Sequence, residues 1–223
     1  MDLSSPLLQV FFSHPSGICG HFEPAHGITH VDGIDKRLGI LAFGVVANPN
    51  PLSRERWEEL VQIQDLWIFD AAQTARMSSQ QVLTALQQAR VRVPKHIARV
   101  WWQISRGVQG RVKGSWRELL RANRDDVQTM QTYLEQSSTT FPVLAGPVLS
   151  SRWLDLVQRM GGVKLSGWES LRVPLPDELE GDAHLFGETK VVHPAFASAM
   201  RVWKQECQKG RDVPCGLTDC PLP

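Results

Sequence analysis

From about residue 53 onward, hydrophobic positions recur every three or four residues, and most such runs open on a capping serine or on a proline suited to the first helical position. Ser53 precedes "RERWEELVQIQDLWI", where Glu55 and Glu58 suit the positive end of a helix dipole and Trp57, Leu60, Val61 and Ile63 begin an apolar side. Ser78 with Gln81 has the form of a capping box ahead of "VLTALQQAR". Pro94 suits a first helical position, followed by Ile97, Val100, Trp101 and Ile104 at helical spacing. Ser115 with Glu118 repeats the box, and "RDDVQTMQTYLEQ" places Val127, Met130 and Leu134 on one side. After "SSTTFPVLAG", Pro147 opens a helix whose stripe is Leu149, Trp153, Leu156, Val157 and Met160, stopped by Gly161 and Gly162. A last helix starts at Pro194 with Phe196, Met200, Trp203 and Cys207 in line.

The pattern predicts a mostly α protein of about seven helices, with strand signals limited to pieces such as "VFF" and "LRVPL". The expected organisation is an irregular segment over 1–50, a helical domain over 51–206 and a cysteine loop over 207–223. No internal repeat is visible. A chain of 223 residues with 42% hydrophobic residues can bury a core without disulfides.

Net charge is only +1, so any charged surface must be local. The longest apolar run, "LGILAFGVVA", holds two glycines and is too short to cross a bilayer. The start "MDLSSPLLQVFF" lacks the basic opening and small-residue cleavage site of a secretory signal, which leads to the expectation of a cytoplasmic protein without membrane association. In a reducing compartment, gathered cysteines more often bind metal than pair.

Cys207, Cys215 and Cys220 are spaced by seven and four residues, with turn-forming "GRDVP" and "GLTD" between them, and Cys19 in "HPSGICGHFEP" is the only fourth thiol. Folded together, the four would suit a tetrahedral metal or an iron–sulfur cubane; apart, they are free thiols or small buried hydrophobes. His14, His21, His26 and His30 crowd the loop around Cys19 together with Asp32, as solvated loop histidines or as the ligands of a zinc-dependent hydrolase.

From Arg90 to Arg124 the chain carries ten Lys and Arg against one acid, Glu118, and Trp101, Trp102 and Trp116 are interleaved with them. That mixture suits phosphate contacts with base stacking, or solvated helix faces whose acids lie elsewhere in the fold.

The order of parts from about residue 90 to 223 resembles the helix-hairpin-helix DNA glycosylases of the endonuclease III type. It comprises a helix ("DDVQTMQTYLEQ"), a turn ("FPVLAGP"), a second helix ("VLSSRWLDLVQRM"), an aspartate stretch ("VPLPDELEGDAHLF"), a last helix and a terminal cysteine segment. The resemblance implies a hairpin near 141–147 that offers backbone amides to a DNA phosphate, with Phe141, Pro142, Leu144 and Gly146 in its places and Val143 near the position of the usual first glycine. It implies a catalytic aspartate, Asp182 in "GDAHLF" or Asp177 in "VPLPD". It also implies a 4Fe-4S cluster on Cys207, Cys215, Cys220 and Cys19, with zinc as the alternative; the family's own loop has four closely spaced cysteines where this chain has three. Arg152, Arg111 and Lys113 would meet phosphates, and Trp102 and Trp168 would wall the base pocket. No lysine follows the hairpin, and Lys164 falls beyond the second helix, so the implied activity is hydrolysis of an N-glycosidic bond in damaged duplex DNA without strand cleavage by a monomeric enzyme. A noncatalytic DNA-binding protein of the same fold is the other reading.

Overall fold

A computed structural model describes residues 27–48, 52, 54–174, 191–194 and 197. The chain divides into two compact units, one spanning 24–169 and the other combining 1–23 with 170–223. In the first unit the described helices are α1 (Ile34–Ala47), α2 (Arg54–Gln62), α3 (Ala71–Arg76), α4 (Ser79–Gln88), α5 (Lys95–Val112), α6 (Trp116–Ala122), α7 (Val127–Gln136) and α8 (Pro147–Leu156). The mostly helical fold class expected from the periodicity is what these elements show.

Local signals set most helix starts. Ser78 and Gln81 close a reciprocal capping box on α4. Ser115 accepts from the Glu118 amide at α6, and Asp126 from the Thr129 amide at α7. Pro94 is the cap rather than the first residue of α5, and Pro147 is the first residue of α8. From Val157 to Gly161, α8 continues as a π turn, which ends at Gly162 with φ 75°.

The irregular segment expected over 1–50 is corrected by α1. Every residue from Leu38 to Val46 is buried, so over that stretch the helix is apolar on all sides and carries no amphipathic stripe to read. It holds its neighbours close through its glycines: a Cβ at Gly44 would lie 2.5 Å from the Trp57 ring, and one at Gly39 would overlap the Phe69 carbonyl oxygen. Beside it runs an aromatic column, from Phe69 to Phe43 (ring centroids 5.7 Å apart), Trp101 (5.2 Å), Trp116 (5.8 Å, stacked) and Trp153 (5.6 Å). Trp101, Trp116 and Trp153 are fully buried. Trp101 and Trp116 are therefore core and not surfaces for base stacking; their large apolar rings outweigh the charges that flank them in sequence.

In the second unit, Val173–Pro174 (β1) pairs antiparallel with Val191–Val192 (β2), with Val173 opposite Val192, where "LRVPL" predicted a strand. The Ala197 amide donates to the His193 carbonyl at 3.0 Å, one helical turn after Pro194.

Candidate nucleic-acid interface

Residues 71–117 contain no Asp or Glu and nine Lys or Arg, a run that begins well before the Arg90–Arg124 window. It forms α3, α4 and α5, with α3 and α4 both packed on α5. Arg117 is paired: both its guanidinium arms donate to Asp125, and that carboxylate raises the Arg117 pKa above its ordinary value. The other eight, among them Lys95, Arg99, Arg106, Arg111 and Lys113, form no ion pair with a described carboxylate.

On α5 the charges are ordered. Lys95, Arg99, Trp102, Arg106, Gly110 and Lys113 follow one another at three- and four-residue steps, which places them along one side of the helix. All but the half-buried Trp102 are exposed, while Ile97, Ala98, Trp101, Ile104 and Val108 fill the opposite side. The Arg106 guanidinium lies 4.9 Å from the Trp102 ring centroid, a cation–π contact that holds the arginine along the stripe.

Both edges of this stripe are built. On one, Trp102 Nε1 donates to the Met77 carbonyl at 2.7 Å, fixing the corner between α3 and α4. On the other, Gln103 Nε2 donates to the Thr139 carbonyl, and Gly107 leaves room for Thr140 and the Phe141 ring. The turn between α7 and α8, residues 137–146, is thus docked directly beside the basic helix.

That turn is the hairpin expected near 141–147, and its atoms are largely committed. Phe141 and Leu144 are fully buried, so Leu144 anchors the turn rather than presenting itself to a ligand. The Leu144, Ala145 and Gly146 amides donate to the Pro142, Phe141 and Val143 carbonyls at 2.8, 3.0 and 3.1 Å. The Gly146 amide expected to meet phosphate is consequently occupied. Gly146 instead caps α8, and the Val148 and Leu149 amides behind Pro147 have no acceptor among the described residues. Val143 at the tip is exposed with φ 70°, a conformation that strains a β-branched residue.

Other expected site residues fall differently. Asp155, 2% exposed, pairs with Arg159 and accepts from Trp168 Nε1 at 3.1 Å, so Trp168 is half-buried and hydrogen-bonded rather than an open wall. Arg152 is half-buried on α8 and already engaged. Arg111 and Lys113 are exposed, and Lys113 ends α5 in the left-handed conformation, φ 56°. Asp177, Asp182, Cys19, Cys207, Cys215, Cys220, His14, His21 and His26 lie outside the described residues. His30 and Asp32 are exposed, and no group of three or more His, Cys, Asp or Glu is placed to hold a metal ion among the described residues.

A cleft of about 690 Å³ opens where the start of α1 meets residues 64–73 and 113–116. Three of its four acids are structural, Asp32 being exposed at the rim. Asp35 accepts from Ser115 Oγ at 3.1 Å and from the Arg117 amide at 2.8 Å, tying α1 to the start of α6. Asp70 caps α3, and Asp65 pairs with Lys36 at 2.9 Å. The cleft is a junction of helix ends, and Asp35, Asp65 and Asp70 are spent on holding them.

In sequence the Arg90–Arg124 window shows the excess of positive charge, with Arg111 and Lys113 as expected phosphate contacts, but not the stripe through Lys95, Arg99 and Arg106. The signal that identifies them is their spacing on α5 combined with the absence of acids on α3 and α4, two of the helices packed against it. Among the described residues no helix is long and apolar enough to cross a membrane. Set against family models, curated proteins and solved structures, the chain matches none of them.

Proposed function

We propose that the protein binds the phosphodiester backbone of duplex DNA along α5, with the turn at 137–146 as the second wall of the site. The observation that carries this reading is the acid-free run 71–117 folded so that four uncompensated cations and Trp102 share one side of a single helix. Lys95 and Arg106 are eleven residues apart in a helix, about 17 Å along its axis, or roughly the rise of five base pairs. A near-neutral molecule would thereby present a local positive field without a net charge to match. The open Val148 and Leu149 amides, at the positive end of the α8 dipole, add donors on the same hairpin.

Base release would call on a carboxylate, Asp182 or Asp177, to stabilise the oxocarbenium ion formed as an N-glycosidic bond breaks. Exchanging both for Asn tests that step alone: release from a damaged duplex is lost while affinity persists.

Binding is tested by titrating a labelled duplex against salt. Four phosphate-neutralising side chains give a slope of log K against log salt of about −3 to −4. Arg99→Glu with Arg106→Glu should weaken binding at least about tenfold and flatten that slope, whereas Arg121→Glu, at a residue already paired with Glu118, serves as the control. Equal affinity for the double reversal and the parent would overturn the proposal.

A further inference from the structure

Glycine inside a helix is less stable than alanine and persists where something must come close to the backbone. Four of the helical glycines have such a reason within the chain: Gly39 faces the Phe69 carbonyl, Gly44 the Trp57 ring, Gly107 Thr140, and Gly161 the Leu38 side chain. Gly110 has none, since nothing lies within 4 Å of the position its Cβ would take. It is exposed, in the last turn of α5, and it falls on the basic stripe between Arg106 and Lys113.

Resting on the reading of α5 as a DNA-binding helix, we propose that Gly110 is where the sugar–phosphate backbone lies against the helix, with Arg106 and Lys113 holding the phosphates on either side. Charge complementarity names the occupant: the bare backbone at Gly110 is bordered along the stripe by two cations and by no acid. Arg106 and Lys113 lie on either side of Gly110, seven residues or about 10 Å apart along the axis, so a strand held by both passes over the bare backbone between them. A side chain at position 110 would hold the strand off the helix and loosen both contacts together. Gly110 is thus a positioning residue, acting through Arg106 and Lys113 and adding no charge of its own.

The test uses the full chain and a labelled duplex oligonucleotide, read by fluorescence anisotropy at fixed salt, with thermal unfolding measured beside it. Gly110→Ala should raise Tm yet weaken binding, by less than a longer side chain does, since its methyl is the smallest group that intrudes on the strand. Gly110→Gln, a better helix former than glycine with open space around it, should unfold no earlier than the parent and lose affinity about tenfold, the scale of one charge-assisted contact. Parental affinity in Gly110→Gln, with Arg106→Glu weakened, would overturn the role of Gly110 and leave the α5 reading standing. Parental affinity in both would overturn the two together.

Discussion

Gly39 and Gly110 offer a matched pair of substitutions that isolates how α1 is seated. Each lies within a helix, so replacing either by alanine yields a similar propensity gain, about 0.5–1 kcal/mol. Their surroundings are opposite. At Gly110 the new methyl meets open space, and the gain should appear in full. At Gly39 the methyl would press on the Phe69 carbonyl oxygen closer than Cβ atoms approach one in folded proteins, with Trp116 Nε1 a further neighbour at 3.4 Å. The 3-10 turn Trp67–Phe69 that carries this carbonyl is pinned on its other side. Its Ile68 oxygen accepts from Trp101 Nε1 at 2.8 Å and Thr74 Oγ1 at 2.9 Å, so it cannot slide away without breaking buried hydrogen bonds. Overpacking of this kind costs about 1–3 kcal/mol, and contact with pinned backbone places Gly39→Ala toward the upper end. The propensity gain cancels in the comparison, which leaves Gly39→Ala about 2–3 kcal/mol less stable than Gly110→Ala. Urea unfolding followed by tryptophan fluorescence, with the slope m held common, measures that gap directly. Variants of equal stability would refute the seating of α1 on the Phe69 carbonyl.

Two further predictions concern the helix ends beside the candidate interface. The Asp126 carboxyl is held below the ordinary value of 3.8, first by the Thr129 amide, then by the Thr129 hydroxyl and by Ser166. A depressed folded pKa contributes stability that is complete above the unfolded value and lost as pH falls through the folded one. Asp126→Ala should therefore cost about 1 kcal/mol at neutral pH, with the deficit shrinking below about pH 4; a deficit unchanged down to pH 3 in denaturant titrations would rule out this origin. Val143, held at φ 70° and exposed, is strained, and Val143→Gly should be neutral or up to about 1 kcal/mol stabilising in the same assay, because relief of the left-handed penalty offsets the added chain entropy. A clear loss of stability would show that the exposed side chain matters to the fold.

What the sequence by itself determined is local. The starts of α4, α6 and α8 follow from Ser78, Ser115 and Pro147, because capping and the apolar stripe act within a turn or two of the same chain segment. The same reading failed at α1, where burial on every side removes the periodicity that marks a helix, and at Trp116, whose neighbours in sequence are charged but whose neighbours in space are Trp101 and Trp153. Arg121 pairs with Glu118 within one helical turn, as spacing allows, but only the folded structure decided that Asp125 neutralises Arg117 and which cations are left along α5. It alone brought Thr139 to Gln103 across 36 residues and so set the hairpin against the basic helix. Packing joins side chains that are distant along the chain, and no spacing rule written along one dimension contains that information.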